Sequence, residues 1–184
     1  MWTPRRTLTI EPLTAQAFEP FGEVMEASDS ARHFTINAGS TERYHDLARI
    51  DVNSGGGHAI LSIFKAQPRS LPLRLLVLEC HPLGSQAFMP LSALPYLVVV
   101  TEANPVPDLS RIRCFLAAPS QGVNYTRGTW HHPLLALQSP SDFLVVDRGG
   151  AGANCDEYPL TDEPCWIEEQ CVLHDLENRL RARG

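Results

Sequence analysis

Short runs of apolar residues, broken by Pro, Gly, Asn and Asp, recur along most of the chain. Val, Ile, Leu and aromatic residues fill these runs and turn-forming residues bound them, which is the pattern of β-strands. The spacing of the runs favours an all-β barrel or sandwich. The strands predicted in this way are His58–Phe64, Leu73–Glu79, Tyr96–Thr101, Pro133–Leu137 and Phe143–Val146.

Helical signals are few. The sequence predicts one helical turn from Thr14 to Phe18, after a Thr N-cap, and a short helix from Asp108 to Phe115, capped by Asp108. The longer candidate is the C-terminal stretch from Asp162 to Arg181, where apolar residues recur near helical spacing. We therefore predict a single domain over residues 1–160 and a C-terminal extension, helical or mobile, over residues 161–184.

The composition is that of a folded chain, since hydrophobic residues make up 43% and charged residues 20% of the 184 residues. The formal net charge is -6 and no polybasic run occurs. Neither nucleic acid nor an anionic membrane is therefore an expected partner. No segment approaches the roughly 20 apolar residues that span a bilayer, and no export signal follows the first arginines. We expect a cytoplasmic protein.

The densest polar cluster follows the second predicted strand and contains Glu79, His81 and Gln86. In an extended strand Glu79 and His81 project to the same side, because side chains alternate with period two. Apolar residues precede them on the same parity, namely Leu73, Leu75 and Val77. A face that begins apolar and turns polar predicts a site at the mouth of a barrel. The alternative is a surface pair at a strand end, because structural ion pairs also form such clusters.

A second cluster lies between residues 121 and 133 and contains two adjacent histidines, His131 and His132. Adjacent side chains on a strand point to opposite faces, so only one of the two is expected to face the barrel interior. The sequence leaves open which one does. A lone His is commonly a structural residue, but aromatic and charged neighbours favour a pocket wall here. These neighbours are Tyr125, Arg127 and Trp130.

A third cluster, near a turn, contains Arg43, His45 and Asp46. The planar guanidinium of Arg43 matches the geometry of a small carboxylate, so Arg43 is a candidate clamp for an acidic substrate. The alternative is a solvated salt bridge with Glu42 or Asp46, which is the default for an isolated run of charges.

At these same clusters the chain resembles the ureidoglycolate lyase family. The resemblance extends from about Leu8 to about Glu157, and the matching blocks occur in the same order as in the family. Several long blocks in order are far more specific than a single motif. The blocks are Glu42–Ala48, Glu79–Phe88, Gln121–Tyr125, Trp130–Pro133, Asp142–Gly150 and Asn154–Asp156.

The resemblance implies an all-β fold, a cupin-like β-barrel of the jelly-roll type, with residues 1–160 as its single catalytic domain. It implies an enzyme, usually a homodimer, that splits ureidoglycolate into glyoxylate and urea in allantoin (purine) catabolism. The sequence departs from the family pattern in two places. Thr126 stands where family members have a His after the Asn-Tyr pair, and the stretch after about Tyr158 is longer than usual.

The resemblance also implies a divalent metal, and nickel is the usual suggestion in the family. The segment from Glu79 to Gln86 looks like a variant of the first cupin metal motif, with Glu in place of a His and Gln in place of the Glu. His131 or His132 would supply the His of the second motif. The predicted ligand set is Glu79, His81, Gln86 and His131.

Cleavage of ureidoglycolate needs a base to remove the hydroxyl proton and an acid to protonate the departing nitrogen. We assign this proton transfer to Glu79, His81 and one of His131 or His132, with Tyr125 as a hydroxyl partner. The predicted substrate-binding residues are Arg43 or Arg127 for the carboxylate and Gln86 for the ureido amide.

Two other functions fit the same residues. The first is that of another metal-dependent cupin enzyme, a dioxygenase or an isomerase, with its site at the same mouth of the barrel. Bound iron with oxygen consumption would favour this function. A non-catalytic small-molecule-binding barrel would bind its ligand saturably without forming a product. The fold alone does not choose among these functions, because cupin-type barrels host many chemistries.

Overall fold

A computed structural model describes residues 6–161 and 164–169 of the chain. Over these residues the protein is nearly all β, with one short helix, α1 (Ala15–Phe18), and 3₁₀ turns at Asn37–Gly39, Ser54–Gly56 and Leu109–Arg111. The strands are β1 (Arg6–Thr7), β2 (Ile10–Pro12), β3 (Gly22–Met25), β4 (His33–Ile36), β5 (Thr41–Tyr44), β6 (His58–Ala66), β7 (Leu73–Leu75), β8 (Val77–Cys80), β9 (Gln86–Pro90), β10 (Tyr96–Thr101), β11 (Arg113–Ala117), β12 (Gly122–Tyr125), β13 (Trp130–His131), β14 (Leu135–Ala136), β15 (Ser141–Gly149), β16 (Asp156–Pro159) and β17 (Cys165–Ile167).

The strands form two larger sheets and two smaller ones. A seven-stranded sheet has the order β16-β8-β13-β10-β11-β2, with β14 also paired to β10. A five-stranded sheet has the order β3-β12-β9-β15-β6. The order β1-β17-β7 makes a three-stranded sheet, and β4 and β5 form a separate hairpin. The all-β, jelly-roll-type prediction is confirmed, although within the described residues no single sheet closes on itself.

The seven-stranded sheet is the middle layer, and its central strand β10 is buried along its whole length. Tyr96 and Val98 of β10 pack into the core that faces the five-stranded sheet. Leu97 and Val99, which alternate with them, pack into a second core shared with the three-stranded sheet. Burial on both faces explains why the segment is continuously apolar and does not alternate.

The predicted strand from Leu73 to Glu79 is divided into β7 and β8 by Leu76, which is 57% exposed. The break changes the parity of the side chains, so Leu73 and Leu75 share a core with Leu78 and not with Val77. The prediction that Leu73 and Leu75 lie on the face of Glu79 is therefore wrong, whereas Val77 does share that face. The other four predicted strands are confirmed, with β14 shorter and β15 longer than expected.

The helix predictions have mixed outcomes. The turn at α1 is confirmed, and the Thr14 hydroxyl caps it by accepting from the N–H of Ala17 at 3.2 Å. The helix from Asp108 to Phe115 is wrong: one 3₁₀ turn, capped by Asp108, leads into strand β11, whose residues pair with β10. Among the described residues no helix is long and apolar enough to cross a membrane.

The start of the predicted C-terminal helix is a strand. Residues Cys165–Ile167 form β17, which pairs with both β1 and β7. Cys165 and Ile167 are buried in the core beneath the seven-stranded sheet, so this short apolar stretch is held by packing. The rest of the predicted helix, from residue 170, and of the predicted extension lies outside the described residues.

Candidate functional site

Three titratable side chains from the seven-stranded sheet converge at one point. Strands β8 and β13 are paired so that His131 lies directly opposite Glu79. His81 comes just after β8, and its side chain projects to the same side as that of Glu79. The potential ligand atoms of Glu79, His81 and His131 all lie within 4.8 Å of one another. The three residues form the polar cluster that the sequence predicted.

The structure distinguishes the two adjacent histidines. His131 is 1% exposed and belongs to the cluster with Glu79 and His81. Its ring centroid is 5.3 Å from that of His81. Nδ1 of His132 instead donates to the carbonyl of Pro133 at 2.8 Å, and burial lowers the pKa of His132. His131 is therefore the histidine that faces the interior, and His132 lies outside the cluster.

Backbone carbonyls determine which ring nitrogen carries hydrogen in the two imidazoles of the cluster. Nδ1 of His131 lies 3.0 Å from the carbonyl oxygen of Thr129, and Nδ1 of His81 lies 2.5 Å from that of Asn154. A carbonyl can only accept, so both Nδ1 atoms carry hydrogen. In the neutral imidazoles the lone pair is then on Nε2, and both Nε2 atoms face the cluster.

Glu79 supplies the negative charge of the cluster. One of its carboxylate oxygens lies 3.5 Å from Nε2 of His131. The His131 imidazole lowers the pKa of Glu79 when it carries a proton on Nε2, although partial burial opposes this effect. Glu79 is therefore ionised at neutral pH and can accept a proton.

Tyr125, at the end of β12, forms one wall of the cluster. Its ring stacks on that of His131, with centroids 4.2 Å apart and planes 16° apart. Burial and the nearby charge of Glu79 raise the pKa of Tyr125 well above its ordinary value. The hydroxyl consequently stays protonated at neutral pH, so Tyr125 is excluded as a base.

Gln86, the first residue of β9, reaches the cluster from the five-stranded sheet. It is 5% exposed and lies opposite Tyr125 in the sheet. Its Oε1 lies 3.0 Å from Nε2 of His81. The site is therefore built between the two large sheets, with side chains from both.

The cluster has the donor atoms of a transition-metal site. Nε2 of His131 is buried and makes no hydrogen bond to another described residue. Two imidazole nitrogens, a carboxylate and an amide oxygen form a set that suits nickel, zinc or manganese. Lone pairs that converge without a donor hydrogen between them favour a cation at their centre. The residues therefore fit the metal that the resemblance implies.

No described contact joins either predicted carboxylate clamp to the cluster. Arg43 lies on the exposed hairpin of β4 and β5, 5.8 Å from the centre of the Phe34 ring. Arg127 is exposed and lines a cleft of about 330 Å³ together with Cys80 and Asp156. The side chain of Cys80 points to the opposite face of β8 from that of Glu79, so this cleft lies behind the cluster. Neither arginine forms an ion pair with another described residue.

Thr126, the position that departs from the family pattern, supports the turn before His131. Its hydroxyl lies 3.3 Å from the carbonyl oxygen of Phe21 and 3.0 Å from the Thr129 hydroxyl. Gly128 of the same turn donates its N–H to the carbonyl of His81 at 3.0 Å. These bonds hold the turn against the backbone that carries the cluster.

Sequence reasoning gave no role to two residues that contact this site. Asn154 accepts from His81 through its carbonyl, and its side-chain oxygen accepts from the N–H of Leu83 at 2.8 Å. Asp147 lies against Gln86, with its Oδ2 atom 3.5 Å from Nε2 of Gln86. Both residues fall within blocks shared with the family, which is the only signal in the sequence that pointed to them.

Known proteins resemble this chain over most of its length. The family model described as "Ureidoglycolate lyase" matches residues 5–168, which is longer than the resemblance predicted from the sequence. A ureidoglycolate lyase of Burkholderia mallei (strain NCTC 10229) is 52% identical over 91% of this chain and 97% of that protein. One of Pseudomonas aeruginosa (strain LESB58) is 51% identical over 95% of this chain and 99% of that protein.

Solved structures give a weaker likeness. A 3,4-ketoisomerase from Helicobacter canadensis has a TM-score of 0.42 and 11% identity, over 71% of this chain and 84% of that chain. A dTDP sugar isomerase from Desulfovibrio desulfuricans G20 has a TM-score of 0.44 and 14% identity, over 78% of this chain and 88% of that chain. Neither TM-score is high enough to assign the activity of these isomerases to this chain.

Proposed function

Because the chain belongs to the ureidoglycolate lyase family, we propose that it cleaves ureidoglycolate to glyoxylate and urea at the cluster of Glu79, His81 and His131. The observation that carries this proposal is the convergence of an ionised carboxylate and two imidazoles within 4.8 Å. These groups lie between the two large sheets, where partial burial strengthens their electrostatic interactions.

The reaction moves one proton and breaks one bond. In ureidoglycolate a single carbon carries a hydroxyl, a carboxylate and the ureido nitrogen. Loss of the hydroxyl proton lets the C–O bond become the aldehyde of glyoxylate while the C–N bond breaks. The departing nitrogen gains a proton and leaves as urea, so no water is consumed.

Glu79 is the group that suits the proton transfer. Its lowered pKa keeps it ionised, so it can accept the hydroxyl proton and return it to the departing nitrogen. Tyr125, which stays protonated, can donate a hydrogen bond but not act as the base. Positioned acid–base catalysis of this kind contributes about 10²–10⁴-fold to a rate.

We assign a divalent metal, with nickel as the first candidate, to His81, His131, Glu79 and Gln86. The buried Nε2 of His131, which has no hydrogen-bond partner among the described residues, supports this assignment. When bound, the metal acts as a Lewis acid that polarises a substrate oxygen. The hydrogen bonds from Nδ1 of His81 and His131 to backbone carbonyls orient both rings for this role.

The proposed activity is tested by incubating the purified protein with freshly prepared ureidoglycolate and measuring glyoxylate and urea. We expect the two products in equal amounts, at a rate well above spontaneous decay in buffer. Formation of ammonia in place of urea would contradict lyase chemistry. Saturable binding with no product would favour the binding barrel instead.

Removal of the metal is expected to lower the rate. Dialysis against a chelator should reduce urea release, and added Ni²⁺ should restore it, because the ligand set holds the cation through nitrogen and oxygen donors. Metal content before and after dialysis serves as the control. Full activity in the protein without metal would remove the Lewis acid from the mechanism, and bound iron with oxygen consumption would favour a dioxygenase.

We propose that the protein is a homodimer joined through β6. This strand is the edge of the five-stranded sheet and is exposed along most of its length. Its exposed apolar side chains include Leu61, 71% exposed, and Ile63, 53% exposed. The unpaired backbone groups of a long apolar edge strand favour pairing with another strand. Pairing of β6 with β6 of a second copy would provide hydrogen bonds for these groups in both protomers.

Leu61→Lys is expected to convert the dimer to a monomer, because a lysine on an edge strand opposes pairing. Light scattering after size-exclusion chromatography measures the mass. Leu91→Lys is the matched control, since Leu91 is 58% exposed but does not lie on β6. A monomeric wild-type protein, or a Leu61→Lys variant that stays dimeric, would contradict this interface.

We further propose that the reaction serves allantoin breakdown in the cytoplasm. The family membership supports this proposal. Fractionation of cells grown on allantoin should recover the activity in the cytoplasmic fraction, and recovery with the membranes would argue against it.

A further inference from the structure

Asp147 is a half-buried acidic group that the mechanism above does not use. It lies on β15, two residues after Val145 and four after Phe143, both of which are buried between the two large sheets. Side chains two residues apart on a strand share a face. Asp147 therefore points into the space between the sheets, towards the cluster.

Asp147 is connected to His81 through one residue, Gln86. Its Oδ2 lies 3.5 Å from Nε2 of Gln86, while its Oδ1 is buried and makes no hydrogen bond to another described residue. Oε1 of Gln86 in turn lies 3.0 Å from Nε2 of His81. Apart from its contact with Gln86, the Asp147 carboxylate makes no hydrogen bond to a described residue. A role in bracing the fold therefore does not explain its position.

A carboxylate beside Gln86 decides which way the amide points. An amide has a donor end and an acceptor end, and an ionised carboxylate can only accept. The NH₂ group of Gln86 must therefore face Asp147, which leaves its oxygen facing His81. Because Nδ1 of His81 donates to Asn154, Nε2 of His81 carries a lone pair, and two acceptors face each other. This arrangement is favourable only with a cation or a proton at that point.

We propose that Asp147 is a positioning residue that holds the Gln86 amide with its oxygen towards His81, so that Gln86 serves as an oxygen ligand for the metal. This inference rests on the metal site of the proposed function. Without the carboxylate, the amide can turn over and donate its N–H to Nε2 of His81. That hydrogen bond would occupy the lone pair that the metal needs.

The test uses Asp147→Asn with two readouts on the full chain. In protein without metal, at a pH where the imidazole is neutral, nitrogen NMR reports whether Nε2 of His81 accepts a hydrogen bond. Titration calorimetry with Ni²⁺ reports the metal affinity. We expect the His81 Nε2 resonance to move in the variant and the Ni²⁺ affinity to fall about 10–100-fold. Asp142→Asn is the control on the same strand, because Asp142 pairs with Lys65 on the exposed side at 3.0 Å.

A double variant tests whether the metal site needs an oxygen that faces His81. In Asp147→Asn with Gln86→Glu, the carboxylate and the amide exchange places, so the net charge is unchanged and an oxygen again faces His81. We expect this variant to recover most of the lost Ni²⁺ affinity. A Ni²⁺ affinity that stays low in the double variant would overturn the proposal. Because the charge lost at Asp147 is restored at position 86, the His81 Nε2 resonance of Asp147→Asn distinguishes a turned amide from a simple loss of charge.

Different results would contradict the proposed nickel site and the proposed role of Asp147. A wild-type protein that binds no Ni²⁺ would contradict the nickel site of the proposed function, and the His81 resonance would still decide the role of Asp147. A His81 Nε2 resonance that is the same in the wild type and in Asp147→Asn would overturn the positioning role, whatever the metal affinity.

Discussion

Replacing His131 with Gln is expected to lower kcat for ureidoglycolate by about 10²-fold or more. His131 lies 3.5 Å from Glu79 and directs its Nε2 into the cluster. Gln preserves much of the side-chain length but lacks the imidazole, so the site loses a nitrogen ligand and the neighbour that lowers the pKa of Glu79. Urea release by the purified variant, normalised to folded protein, measures the loss.

His132→Gln is the matched control for this variant. His132 is adjacent in sequence, but its Nδ1 bonds to the Pro133 carbonyl and it does not belong to the cluster. We expect it to retain most of the activity, with circular dichroism verifying that both variants are folded. A larger loss in His132→Gln would show that the assignment of the two histidines is reversed, and equal losses would show that activity does not distinguish them.

Replacing Phe143 with Ala is expected to lower the free energy of unfolding by about 3–5 kcal/mol. Phe143 is fully buried between the two large sheets, and its ring packs edge-to-face against that of Tyr96 with centroids 5.0 Å apart. Removing the ring leaves a cavity in the layer that joins the sheets. In a protein of this size the melting temperature should fall on the order of 10 °C.

Leu91→Ala is the control for the stability measurement. Leu91 is 58% exposed, so its truncation should change the free energy of unfolding by less than about 0.5 kcal/mol. Guanidinium unfolding of both variants gives the comparison. A loss in Phe143→Ala no larger than in Leu91→Ala would mean that the core between the sheets does not hold the fold together.

The sequence predicted the all-β class because apolar runs and turn formers leave a local signal. It predicted Tyr96–Thr101 as a strand, but local pattern could not show that both faces of that strand are buried, since this depends on the sheets packed above and below it. The break at Leu76 was missed because the run from Leu73 to Glu79 contains no Gly or Pro. The break changed which residues share a face with Glu79.

The site was predictable where its residues are close in sequence. The same-side projection of Glu79 and His81 followed from strand parity, and the structure confirms it. The choice between His131 and His132 required the pairing of β13 with β8, which no local pattern specifies. Asp147 could not be linked to Gln86, because 61 residues separate them in the chain.

The role of the cluster in catalysis is best measured by comparing the wild type with Glu79→Gln, at equal folded concentration, in release of urea and glyoxylate from ureidoglycolate. We expect equal amounts of both products from the wild type, and a rate lower by about 10²-fold or more from Glu79→Gln, because the amide cannot accept the hydroxyl proton. A variant as fast as the wild type, or a wild type no faster than buffer, would contradict cleavage of ureidoglycolate at this cluster.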